Sequence, residues 1–173
     1  MTVRAPTLAA IAVVSALALA AGLWFGQVDK PADAPATPLL GITLPDPDGK
    51  DQAIAQWKGK VLIVNFWATW CAPCREEMPM FMRLQAEQGA KGVQFVGIAV
   101  DNADKVRDYA ADLKLNYPTL IGGFGAMELS KTLGNSVMAL PFTVIVDRSG
   151  KVAHTQLGPL KEEQLQSILR QLA

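Results

Sequence analysis

The chain has 173 residues, enough for one domain with a single substantial core, so its size creates no need for disulfide staples. Its 16 basic residues balance its 16 acidic ones and no long run of one sign occurs. That balance argues against nucleic acid or a polyanionic surface as partner, and for partners recognised by shape.

The first segment, MTVRAPTLAAIAVVSALALAAGLWFGQ, carries one arginine and then runs from about Ala5 to Gly26 without a formal charge. Roughly 20 apolar residues span a hydrocarbon core, whereas the apolar region of a cleaved signal peptide is about 7–15 residues long. Residues 1–26 are therefore expected to form an N-terminal membrane anchor. A cleaved signal peptide stays open as the alternative, because Ala16-Leu17-Ala18 and Ala18-Leu19-Ala20 are small-x-small sites. Leu23, Trp24 and Phe25 carry the apolar run past those sites to an interfacial aromatic position, and Arg4 places the short N-terminal side in the cytoplasm. Residues 27–38, VDKPADAPATP and its flank, show no periodicity and read as a Pro/Ala-rich tether. The folded domain is expected over residues 39–173.

Within it, LLGITLPDPDGKDQAI reads as a strand, a turn at Asp46, Pro47, Asp48 and Gly49, and a second strand. KVLIVNFWA is a run of the kind buried on both faces of a sheet, and should be central. Residues 72 to about 88 follow in helical rhythm, with Pro79 as an interruption. VQFVGIAV is a second buried strand, and ADKVRDYAADLKL a helix with its acidic end first. YPTLI reads as a short strand and GAMELSKTLG as a helix stopped by Gly134. PFTVIVDRSGKVAHTQLG reads as a hairpin and KEEQLQSILRQLA as an amphipathic closing helix. The βα repeats give parallel strands and the late hairpin antiparallel ones, so the sum is α/β with a mixed central sheet and helices on both faces.

Cys71 and Cys74, the chain's two cysteines, follow the first buried strand and open a helix. Residues three apart in a first turn have Cα atoms roughly 5–6 Å apart, within disulfide span. So short a loop constrains the unfolded chain little, which makes a purely structural bridge here weak. The helix N-terminus stabilises a thiolate at Cys71, making it the candidate nucleophile, with Cys74 one turn deeper as the resolving thiol. Pro73 is tolerated in the first turn, where its missing donor is not needed. A closed zinc site lacks ligands, since His154 is the one histidine and lies in an expected strand. Copper(I) accepts soft ligands, and Met78, Met80 and Met82 lie downstream, but only Met78 and Met82 share a helix face, as core methionines would. Neither a cofactor nor a metal is assigned.

FWATWCAPC resembles the active-site signature of the thioredoxin superfamily, and the spacing from Cys71 to Pro79 is similar to that of the family's kinked active-site helix. ALPFTVIVDRSGKV resembles its second signature, which implies a cis peptide at Pro141 opposite the cysteines and substrate-binding backbone groups on Leu140. The resemblance covers roughly residue 39 to the C-terminus and implies a thioredoxin-like fold. Trp70, Pro73, Leu140 and Pro141 are then the candidate substrate-contacting residues. Thioredoxins carry a buried aspartate where this chain has Asn65, which cannot exchange a proton. Glu77, on the same helix face as Cys74, is the candidate proton acceptor, a third catalytic residue beside the cysteines. Its alternative is a solvated charge; Glu76 is expected to be solvated.

The C-x-P-C-x-x-E-x-P pattern, with the anchor, tether and N-terminal β-hairpin extension, resembles membrane-anchored TlpA/ResA-like thiol-disulfide oxidoreductases. That implies a bacterial inner-membrane protein with its domain in the periplasm. Its partners would be disulfide-bearing proteins such as apocytochrome c or copper-delivery proteins, with a transmembrane thiol reductant as electron donor. A copper(I) chaperone and a disulfide-introducing oxidase use the same cysteines and stay open. Phe142, where many relatives have threonine, is expected to make the groove beside Pro141 more apolar.

Overall fold

The expected alternation of strands and helices is present in this computed structural model, which describes residues 36–172. In chain order it contains α1 (Thr37–Leu40), β1 (Thr43–Pro45), β2 (Asp51–Ala53), a 3-10 turn (Ile54–Trp57) and β3 (Val61–Trp67). Then come α2 (Ala72–Gln88), β4 (Val93–Ala99), α3 (Ala103–Leu113), β5 (Thr119–Ile121) and α4 (Gly125–Thr132). β6 (Phe142–Val146), β7 (Val152–Leu157) and α5 (Glu162–Leu172) complete it.

The main sheet has the order β5-β4-β3-β6-β7, which puts the KVLIVNFWA strand in the middle. β3 pairs parallel with β4 and antiparallel with β6, and β4 pairs parallel with β5. The fold is thus the thioredoxin-like α/β class with a mixed sheet. All seven residues of β3 are buried, and the period of two divides them between two cores. Val61, Ile63 and Trp67 pack with Met78, Phe81 and Leu84 of α2, Val106 of α3 and Leu165 of α5. Leu62, Val64 and Phe66 pack on the other face with Leu39, Ile54, Trp57 and Ala126. Each Val, Leu, Ile or Phe so buried contributes about 1.5–3 kcal/mol, which makes β3 the spine of both layers.

The expected hairpin extension is β1 and β2, paired antiparallel from Thr43 with Ala53 to Pro45 with Asp51. Its turn is closed by Asp46, whose side chain accepts from the Asp48 and Lys50 backbone N–H groups. Leu39 and Leu40 are helical rather than part of the first strand. The reason is burial: Leu39 is fully enclosed in the second core, which one helical turn reaches and a strand extending the hairpin would not. Order also begins before residue 39, since Ala36 is buried and its N–H donates to the Gly150 carbonyl at 3.0 Å. The expected anchor, and the tether as far as residue 35, lie outside the described residues. Among the described residues no helix is long and apolar enough to cross a membrane.

Candidate active site

β3 delivers the cysteines. After Trp67 the chain turns, with Cys71 N–H donating to the Ala68 carbonyl at 3.1 Å, and Cys71 becomes the N-cap of α2. Its Sγ accepts from the backbone N–H of Cys74 at 3.3 Å. Cys71 and Cys74 are joined in a disulfide with Cα atoms 5.3 Å apart, as first-turn spacing allows. Cys71 is 5% exposed and Cys74 0%, so the first sulfur is the outer one. Pro73 lies half-buried in the first turn, where no donor is lost. α2 continues through Pro79 to Gln88. Trp70, just before Cys71, is 66% exposed.

The second expected motif reaches the same end of the sheet through strand register. Phe142, the first residue of β6, pairs with Phe66 near the end of β3, so the residues before it lie beside the chain that leads to Cys71. The Leu140-Pro141 peptide is cis. Pro141 is buried and its carbonyl accepts from Gly158 N–H at 2.9 Å, while Leu140 is half-buried and packs against both cores. Phe142 does not line a groove. Its pairing with Phe66 puts it on the sheet face opposite α2, where it is buried with the two ring centroids 5.9 Å apart.

Glu77 is buried, with 5% of its surface exposed, which removes the solvated-charge alternative; Glu76 is exposed as expected. One Glu77 oxygen accepts from Asn65 Nδ2 at 2.8 Å and the other from the Leu160 backbone N–H at 3.0 Å. Burial pushes the carboxyl up to about 7, against the lowering effect of those two bonds. Tyr117, also buried, has its phenol held well above the usual range by burial, with the charge of Glu77 and then Tyr109 adding to the effect.

Asn65 follows from the same alternation. As an odd member of β3 it faces α2, and its register partner on β6 is Thr143, whose Oγ1 takes the other Nδ2 hydrogen at 3.0 Å. Both amide hydrogens are thereby used, and Asn65 Oδ1 is buried without a partner. Thr143, the Leu160 N–H and Tyr117 are site groups that sequence reasoning missed. A signal existed for one of them: Asn65 and Thr143 are each the lone polar residue of an otherwise apolar strand. The methionines go to packing, with Met78 fully buried and Met80 and Met82 half-buried against the first core. His154 lies on β7, half-buried, with its ring Nε2 3.4 Å from the Gln164 amide nitrogen.

A family model described as Redoxin matches residues 30–172. The chain belongs to the Redoxin family. Its relatives include the thiol-disulfide oxidoreductase ResA of Bacillus cereus, 32% identical over 150 residues that cover 86% of this chain and 83% of that protein. Sporulation thiol-disulfide oxidoreductase A of Bacillus subtilis is 28% identical over 147 residues, covering 82% of this chain and 86% of that protein. Among solved structures, a thiol:disulfide interchange protein from Chlorobium tepidum superposes with a TM-score of 0.70 at 30% identity, covering 83% of this chain and 97% of that one. This Redoxin-family chain, with Cys71 and Cys74 as its redox pair, is a thiol-disulfide oxidoreductase of the ResA-like kind.

Proposed function

We propose that the protein is a periplasm-facing reductase, anchored in the bacterial inner membrane by residues 1–26, which reduces disulfides of exported proteins. Apocytochrome c before haem attachment and copper-delivery proteins are the substrate classes, and a transmembrane thiol carrier returns the electrons. Cys71 thiolate attacks a substrate disulfide, forming a mixed disulfide and expelling one substrate thiolate. Cys74 then loses its proton to Glu77 and attacks Cys71 Sγ, which expels the second substrate thiolate and leaves the Cys71–Cys74 disulfide. Two electrons pass to the substrate, and the donor restores them by the reverse exchange. Trp70, Pro73, Leu140 and Pro141 form the surface on which the substrate chain lies.

The observation that supports dithiol exchange through Cys71 and Cys74 is the buried Glu77 carboxyl, one helical turn beyond a fully buried Cys74, and the likeness to ResA supports the reducing direction. A thiol enclosed in apolar surroundings resists ionisation, and a base on the same helix face, tuned near neutrality, removes that obstacle.

The test is the reduction potential of the Cys71–Cys74 couple, with capture of partners on a Cys74→Ser variant. A potential at or below about −220 mV, together with mixed disulfides to exported proteins, is expected. A value near −120 mV, where strong dithiol oxidants lie, overturns the reductase in favour of the disulfide-introducing oxidase.

A further inference from the structure

Phe124 is 92% exposed, the most exposed of the large apolar side chains described. An aromatic ring left in water forgoes the gain of burial, and exposed aromatics grouped beside a reactive centre mark contact surfaces. Its backbone is well anchored. The N–H groups of Gly122 and Gly123 both donate to the Ala99 carbonyl, at 3.0 and 3.1 Å, which ties the segment to the end of β4. Gly122 lies tight against α4 and β4: a Cβ there would sit 2.5 Å from Ala126 Cβ and 2.8 Å from Ile98 Cγ2. Gly123 turns the chain with φ of +52°, and Met127 N–H bonds back to the Phe124 carbonyl at 3.1 Å as α4 begins.

Phe124 shares an open cleft of about 450 Å³ with Trp70, Val100, Asp101, Asn102 and Gly123. The cleft's side-chain oxygens are turned to the protein's own groups. Asp101 accepts from the Thr69 hydroxyl and the Asn102 N–H, and Asn102 Oδ1 accepts from Lys105 N–H. Beside the exposed Asn102 amide, what the cleft offers is two aromatic rings and the Val100 flank, a lining suited to an apolar guest. The guest's origin follows from position. Any disulfide under exchange must reach Cys71, the residue after Trp70, which brings the chain flanking that disulfide beside Trp70 and the cleft that Trp70 lines.

We propose that Phe124 is a specificity-determining residue which, with Trp70, grips one bulky apolar side chain of the substrate polypeptide close to the disulfide being exchanged. The proposal rests on the redox reading above and adds to it a sequence preference in the substrate.

The experiment uses the full chain in detergent, reduced beforehand, and synthetic peptides of equal length and charge, each closed by one internal disulfide. In one series a phenylalanine is moved in turn through the positions flanking the cystine; in the reference peptide serine fills them all. Second-order rate constants are read by stopped-flow fluorescence. The wild type is expected to react about fivefold faster with the best phenylalanine peptide than with the serine peptide. Phe124→Ser should bring that ratio to about one, and Phe124→Leu should restore most of it. Melting curves confirm that the variants fold, as the exposure of Phe124 leads one to expect. Equal wild-type rates across the series, or an unchanged ratio in Phe124→Ser, overturns the proposal and leaves the redox reading standing. Exchange with no peptide at all overturns both.

Discussion

The Glu77 pKa is raised by burial, and its carboxyl is held in place by groups that the local sequence does not contain. Its helical position beside Cys74 was legible from the three-residue spacing, and Asn65 was legible as the place where a related carboxylate would sit. One partner of the carboxyl, however, is the Leu160 N–H, 83 residues away, and the other, Asn65, is itself fixed by Thr143, 78 residues beyond Asn65. Such contacts are set by strand register and loop path, not by local pattern. They lead to a kinetic prediction. If ionised Glu77 takes the Cys74 proton, resolution of a Cys71 mixed disulfide should accelerate as pH rises through about 7, where Glu77 becomes a base. Glu77→Gln should slow that step by roughly a hundredfold, the low end for general base catalysis, and lose the inflection near 7. Rapid-quench release of a peptide preloaded on Cys71 measures both. An unchanged inflection in the variant would assign the titration to another group.

At the level of elements, β3 and β4 were legible because a strand buried on both faces leaves a continuous apolar run, and β6 because turn residues close its hairpin with β7. Leu39 and Leu40 were not, because a short apolar pair fits a strand or a helical turn equally and only the docking surface decides. Phe142 departs from expectation for a related reason: its place after a proline suggests the groove, whereas pairing with Phe66 turns it to the opposite face. Gly97 of β4 shows how tightly the neighbouring strands are fitted. A Cβ there would lie 2.8 Å from Trp67 Nε1 and 3.0 Å from Thr119 Oγ1, the two atoms of a buried hydrogen bond. Trp67 is fully buried and packs on Tyr109 with ring centroids 5.7 Å apart, so it has little room to retreat. Gly97→Ala should therefore destabilise the fold by about 1–3 kcal/mol, the usual range for overpacking, despite alanine's lower chain entropy. Urea unfolding followed by tryptophan fluorescence measures it; a stabilised variant would mean that the Trp67 contact relaxes freely.

For the whole molecule, the same carboxyl ties global stability to pH. A chain with no net formal charge has little overall self-repulsion near neutrality, so individual buried groups shape its pH profile. Glu77 goes from an ordinary value of 4.5 to about 7 on folding, so between those values the folded state binds more protons than the unfolded one. Its contribution is therefore fully present below about pH 4.5, and is lost as pH rises through about 7. The shift corresponds to about 3.5 kcal/mol at most, since one pH unit is worth about 1.4. Glu77→Gln does not titrate there, but it gives up one of the two accepted bonds, because an amide offers one oxygen to Asn65 and Leu160. Because the variant has no titration at this position, the slope of the difference reports the Glu77 titration alone. The quantity to measure is the difference in unfolding free energy between wild type and Glu77→Gln, both oxidised, by urea titration from pH 4 to 8. It should move in favour of the variant by on the order of 2–3 kcal/mol across that range. A flat difference would show that the carboxyl is solvated in the folded protein, and would remove the burial on which its role as a base depends.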